Sequence, residues 1–309
     1  MEENNRKYIC SRGILKSCDI HSNNPISSVQ QLRGYDFSQC KNGSTVYVCG
    51  SAVTHFISEI LPRLLFKIVL VTGDCDETCW TDFFPGEQTC WTDVFPGEHL
   101  FKSFIESNKI IHWFSQNCTW DHPKLTRIPI GLDYHTMTNH HAKWGPKLTP
   151  IEQENMLLSI INNTDTKLFW KRKLKCYSNF HFSMKTKYGY DRIDAFKNIP
   201  GNLVDYEQTH ASRERVWINQ SKYSFVISPH GNGLDCHRTW EALVLGCIPI
   251  VKTSGLDPLY IGLPVLIVDN WSDINEQLLQ TTVAEFKNKK FDYDRLLLSY
   301  WVDMINSKK

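Results

Sequence analysis

The stretch FVISPHGNGLDCHRTWEALVLGCIPIV, residues 225–251, reads as strand, turn, helix and strand. Phe225, Val226 and Ile227 form the short branched and aromatic run of a buried strand. Residues 228–233 break it, because Pro229 lacks an amide donor while Gly231 and Gly233 allow backbone angles that other residues avoid. Asp235 fits the N-cap of a helix along which Trp240, Leu243 and Val244 recur at helical spacing, and Gly246 ends it. Ile248, Pro249, Ile250 and Val251 open the next strand. A glycine turn at a helix N-terminus offers backbone N–H groups to an anion. Ser228, His230, Asn232, Arg238 and Glu241 are the polar side chains around it.

Working outward, the same alternation fills the second half of the chain. Strand patterns at 174–177, 203–206 and 265–268 flank the central stretch, and helical patterns cover 191–199, 212–223, 273–290 and 292–307. The first half repeats the scheme, with strands expected at 46–49, 68–71, 109–113 and 126–130 and helices at 56–65 and 97–107. Strands alternating with helices predict an α/β chain built on parallel sheets. Residues 140–150 read as a boundary and 151–163 as the helix after it. The expected domains are 1–150 and 151–291, each Rossmann-like, with a terminal helix at 292–309 that crosses back to the first. Residues 1–43 are polar and irregular and read as a loose arm or a small cap.

The central window resembles the nucleotide-sugar half of glycosyltransferases of GT-B fold, most closely the exostosin-like family, some of whose relatives occur in large DNA viruses. There a strand ends in a Pro/Gly-rich turn, followed by a helix carrying an Arg and a Glu and then Gly-Cys-Ile-Pro-Ile. Here these are Ser228 to Gly233, Arg238, Glu241, and Gly246 to Ile250. The resemblance implies a GT-B layout, two Rossmann-like domains facing across a cleft. It also implies transfer of a sugar from a nucleoside diphosphate sugar to a glycan or other hydroxyl acceptor, with inversion and without a metal or other cofactor. Under it Glu241 takes the ribose and Arg238 the phosphate side.

Bulk properties narrow the remaining classes. With 309 residues, two domains of ordinary size are the default. Thirty-four basic against 33 acidic residues, net +1, give no electrostatic case for nucleic acid or an anionic membrane as the main partner. No apolar run is long enough to span a bilayer, and the polar N-terminus lacks a signal-peptide core, so a cytoplasmic protein is expected. Eleven cysteines without a CxxC pair read as reduced thiols. Residues 78–87 recur almost unchanged at 89–98, a tandem repeat that fits an insert in a surface loop.

Open parallel sheets bind ligands beyond the carboxyl ends of their strands. That rule selects 178–179, 228–233 and 252–254 in the second half, and 50–51, 73–74, 115–117 and 131–135 in the first. A departing diphosphate needs positive charge where its negative charge develops, which Gly231, Gly233 and Arg238 can supply, with Arg192 as a further phosphate candidate. His230 is placed to contact donor sugar or pyrophosphate. Arg238 and Glu241, three apart, share a helix face; the plain alternative is a surface ion pair. For the base that deprotonates the acceptor, Asp74 and Asp133 are the candidate carboxylates, Asp74 slightly ahead, with His55 and His135 as alternatives. Asp74-Cys75-Asp76 also spells DxD after a strand, the basis of a second reading as a metal-dependent transferase. A third reading is a non-catalytic nucleotide- or glycan-binding protein of the same fold. Cys75, Cys79, Cys90 and His99 match no standard zinc spacing.

Overall fold

Two all-parallel sheets stand one after the other along the chain. The computed structural model describes residues 3–23, 28–76, 78–79, 96–139, 144–164, 168–181, 186–207 and 211–309, without the side chains of 96–100. Residues 80–95, most of the tandem repeat, lie outside the described residues, as does Cys90.

The first sheet holds β1 (Ser44–Cys49), β2 (Ile68–Gly73), β3 (Ile110–Ser115) and β4 (Leu125–Arg127) in the order β1-β2-β3-β4. The second holds β5 (Lys173–Ser178), β6 (Val204–Tyr206), β7 (Tyr223–Ile227), β8 (Ile248–Lys252) and β9 (Leu266–Val268) in the order β6-β5-β7-β8-β9. Every strand pair is parallel. β1 and β2 are buried along their whole length, as strands covered on both faces must be. The chain thus has two Rossmann-like halves facing across a cleft, the GT-B layout.

Two elements depart from the periodicity for local reasons. The helix expected at 56–65 is a broken stretch over 50–63 of 3-10, α and π turns. Pro62 can neither donate nor tolerate the carbonyl one turn back, so a regular helix cannot run through it. The strand expected to reach 130 stops at Arg127, just before Pro129 would have to donate to the ladder.

Residues 3–16 are not a loose arm. Ile9, Ile14 and Leu15 are fully buried in the apolar cluster that joins the halves, together with Val71, Val226, Trp240 and Trp301. The apolar spacing of Ile9, Ile14 and Leu15 was the signal in an otherwise polar run. The segment bridges both ends of the chain: Ile9 N donates to Leu296 O, and Leu132 N donates to Ile9 O. The terminal helix Leu298–Asn306 lies against it, with Leu298 N donating to Lys7 O. Glu154 anchors the same strand-like stretch by accepting from Lys7 N (2.9 Å), Tyr8 N (3.2 Å) and Tyr134 Oη (3.3 Å), and by pairing with Arg6 at 3.3 Å. Glu154→Gln keeps one acceptor and loses the charge that holds the rest. Urea unfolding is expected to show a loss of about 1–2 kcal/mol; no loss would mean the arm is held by its apolar residues alone.

Candidate functional site

The order of the second sheet reverses between β5 and β7, since chain order runs outward to β6 on one side and to β8 and β9 on the other. Ligands of doubly wound sheets bind beyond the strand ends at such a reversal. The first sheet, in strictly sequential order, has none. A cavity of about 850 Å³ opens at the reversal. Ser178 and Asn179 after β5, Asn232 and Gly233 after β7, and Arg238 and Glu241 line it from the second half. Asp76, Ile130, Asp133 and Trp144 line it from the opposite side. Asp74 and Asn117, at the ends of β2 and β3, have φ of +52° and +49°. Backbone held in that region is uncommon outside glycine and tends to gather at functional sites.

Two guanidinium groups meet at this cavity. Arg192, on the helix Gly189–Asn198, is held by the carbonyls of His181 (2.8 Å) and His230 (3.3 Å). Gly231 admits it: a Cβ there would stand 2.5 Å from Arg192 Nη2. Arg238, on the helix His237–Val244, lies 5.8 Å from the ring centre of Phe180. Its Nη1 is buried and has no hydrogen-bond partner among the described residues. Burial, more than any neighbour, disfavours its charge, and Arg192 adds repulsion. Among the described residues neither guanidinium is ion-paired to a carboxylate. Glu241 has turned instead toward Arg213, 3.7 Å away, so the surface pair between Arg238 and Glu241 does not form.

Beside the arginines, Phe180, Phe196 and Tyr206 make an aromatic corner, with ring centres 6.3 Å (Phe180–Tyr206) and 5.3 Å (Phe196–Tyr206) apart. Ser178 Oγ and Asn179 Oδ1 are buried there without hydrogen-bond partners among the described residues. A buried polar atom left unpaired costs free energy unless something completes it.

The opposite wall is organised by Arg213. Its guanidinium lies 4.5 Å from the ring centre of Trp144 and 5.4 Å from that of Trp217. It donates to the carbonyl of Asp133 and stands 3.7 Å from the Asp133 carboxylate. Asp133 also accepts from Thr136 N at 2.9 Å and pairs with His135 Nδ1 at 3.1 Å. Despite burial, these cationic and N–H neighbours hold its carboxyl well below the usual range. Burial pushes His135 down to about 4. Asp74 does not reach the cavity: its carboxylate is buried beside Arg12 at 3.9 Å, and burial raises it. The two acids of the DxD spelling therefore part company, Asp76 facing the cavity and Asp74 facing Arg12. His55 is exposed and away from the cavity lining.

Of the residues expected around the glycine turn, Asn232, Gly233, Arg238, Glu241 and Arg192 line the cavity. Ser228, His230 and Gly231 stand behind its wall. Ser228 Oγ bonds Thr239 Oγ1 at 2.8 Å, and His230 Nδ1 bonds Leu234 O at 2.9 Å. The turn is also less of an N–H cradle than its glycines imply. Ser228 N, His230 N, Gly231 N and Asp235 N already donate to Ile250 O, Asp191, Gly233 O and Asn117 Oδ1. Positive charge at the site comes from side chains more than from amides.

Asp235 is not the helix cap. Cys236 occupies that position, without a side-chain cap, and the Asp235 carboxylate crosses between the halves. It accepts from Trp240 Nε1 (2.8 and 3.0 Å) and from Ile130 N (2.8 Å). Asp235, Arg213, His237 and Trp144 are among the cavity residues that the sequence reading did not place at the site. Only Asp235 and His237 carried a signal, by lying at the helix start that the glycine turn announces.

No protein-family model and no curated protein sequence matches the chain. Two solved structures similar to it are an E. coli trehalose-6-phosphate structure bound with UDP-2-fluoro glucose and an alpha1,3-fucosyltransferase. The first is 10% identical over 91% of this chain and 72% of that one, TM-score 0.38. The second is 11% identical over 96% of both, TM-score 0.37.

Proposed function

We propose that the chain is a glycosyltransferase that moves a sugar from a nucleoside diphosphate sugar to a hydroxyl acceptor. The observation that carries the reading is the pair Arg192 and Arg238, two guanidiniums facing one cavity, with a buried Arg238 Nη1 that has no hydrogen-bond partner among the described residues. Two guanidiniums at one cavity repel each other unless an anion lies between them, and each makes strong charge-assisted hydrogen bonds to a phosphate. A diphosphate is such an anion, and its charge grows as the sugar leaves, so the arginines act most strongly in the transition state. The aromatic corner with unpaired Ser178 Oγ and Asn179 Oδ1 suits a nucleobase, which offers a flat face and a hydrogen-bonding edge. Glu241, the nearest carboxylate to Arg238 on the same helix, remains the proposed ribose partner. The wall of Trp144, Arg213 and Asp133 is then the acceptor side. Because arginines supply the charge that a cation supplies in other transferases, the reaction is proposed to run without a metal, and with inversion.

The test is thermal unfolding with UDP, GDP, ADP and inorganic phosphate, followed by nucleotide release from UDP- and GDP-sugars. A ligand that binds the folded chain raises its melting temperature by mass action. At least one of UDP and GDP is expected to raise it by a few degrees, phosphate alone much less. Binding with no release from any donor would favour a non-catalytic nucleotide-binding protein; no binding would end the proposal.

A further inference from the structure

We propose that His237 is the base that takes the proton from the acceptor hydroxyl, in place of the carboxylates that strand-end position favours. This rests on the glycosyltransferase reading. His237 opens the helix that carries Arg238, and both residues line the cavity. Its Nδ1 stands 2.7 Å from the carbonyl oxygen of Gly131, contributed by the opposite half. A carbonyl can only accept, so in the neutral ring Nδ1 carries the hydrogen and Nε2 carries the lone pair. Among the described residues no hydrogen bond engages Nε2. A fixed tautomer with an unengaged lone pair, on a residue that lines the same cavity as the two arginines, is the arrangement a general base needs.

The surrounding charges suit the role. Asp74, Asp133 and Asp235 all feel the charge of His237, so the imidazolium formed by proton transfer has three carboxylates near it. His135 lies 6.2 Å away, ring centre to ring centre, and is itself committed to Asp133. Four other acids are worse placed. Asp133 is held ionised by Arg213 and His135, which weakens it as a proton acceptor. Asp74 is outside the cavity lining. Glu241 faces Arg213, and Glu207 accepts from Tyr177 Oη at 2.7 Å and Asn219 Nδ2 at 3.0 Å. In the step, the acceptor O–H bond breaks with its proton going to Nε2, and the oxygen bonds the anomeric carbon. The bond from that carbon to the diphosphate oxygen breaks, and the electron pair leaves on the phosphate beside Arg192 and Arg238.

His237→Asn tests the assignment, because the Asn amide can still donate to the Gly131 carbonyl; His237→Gln serves if that variant does not fold. The readouts are nucleotide release from UDP- and GDP-sugars with water as surrogate acceptor, UDP and GDP affinity by calorimetry, and imidazole added to His237→Ala. The expected result is kcat lower by about 10²–10⁴-fold, nucleotide affinity unchanged within about threefold, and partial recovery with imidazole. A variant with kcat near that of the unaltered chain, or one that loses affinity and kcat together without rescue, would overturn it. An unaltered chain that turns over donor while His237→Asn does so equally well sinks this assignment alone. An unaltered chain that neither binds nor turns over any of these donors sinks the transferase reading with it.

Discussion

Arg238→Met is expected to lower kcat/KM for donor turnover about 10²–10³-fold while leaving the fold at least as stable as before. The two halves of this result come from one feature. Arg238 Nη1 is buried and has no hydrogen-bond partner among the described residues, and burial is the leading influence against the side chain's charge. In the folded chain without ligand that is a cost, since desolvation is not repaid by pairing. Met keeps the apolar stem over Phe180, 5.8 Å from the present guanidinium, and removes the charge. Urea unfolding is therefore expected to show no loss, or a gain of about 1 kcal/mol. With a diphosphate bound, the same charge is matched, and most strongly as the leaving group develops. The variant should then lose kcat and bind UDP or GDP more weakly.

A structural arginine would behave in the opposite way. If Arg238 held the helix start to Phe180 and little else, Met would destabilise the chain and spare turnover in proportion to the folded fraction. Destabilisation by more than about 2 kcal/mol with near-normal turnover of the folded part would assign it that role.

How much of this was legible beforehand follows from which interactions are local. The window 225–251 could be read because strand and helix periods lie within a few residues of one another, and Arg238 and Glu241 follow from position on that helix. The long alternation of strand and helix could be read for the same reason. The partners could not. Arg213 meets Asp133 and Trp144 across roughly seventy to eighty residues of chain, and nothing near Arg213 in sequence announces it. Asp235 sits where a cap belongs, yet Ile130 and Trp240 claim its carboxylate, so a tertiary contact overrides a local rule. Asp74 looked the better base because it ends an apolar strand, but Arg12 comes from residues read as a loose arm. Ser178 and Asn179 were found by the strand-end rule alone; their unpaired atoms become meaningful only once the strand order places them at the reversal.

Asp235 is the other residue whose replacement has a large expected effect, and here the effect depends on pH. Its carboxyl is buried where the halves meet, and burial pushes it up to about 6, against three stabilising N–H contacts and the influence of His237. Tyr260 Oη, 3.4 Å from Oδ1, and the Cys236 thiol are the other titratable groups that face it. A carboxyl whose folded pKa lies above its unfolded one binds its proton more tightly when folded. Its contribution is complete below about pH 4 and is lost as the pH rises through about 6, a change of ~3 kcal/mol for a shift of about two pH units. Asp235→Asn removes that titration without breaking the joint. With its oxygen in the place of Oδ2, the Asn still accepts from Ile130 N and Trp240 Nε1, while its amide, 2.8 Å from Trp240 Nε1 in the place of Oδ1, must shift toward Tyr260 Oη; that cost does not vary with pH and is a constant offset. Asp133, held well below the usual range, titrates in both proteins and cancels from their difference. Between about pH 4.5 and about pH 7.5 the variant is therefore expected to gain about 2 kcal/mol on the unaltered chain, measured as the difference in urea unfolding free energy. A difference that stays constant over that range would mean the Asp235 carboxyl is ionised throughout. The joint between the halves would then hold a permanent charge, secured by Trp240 and Ile130.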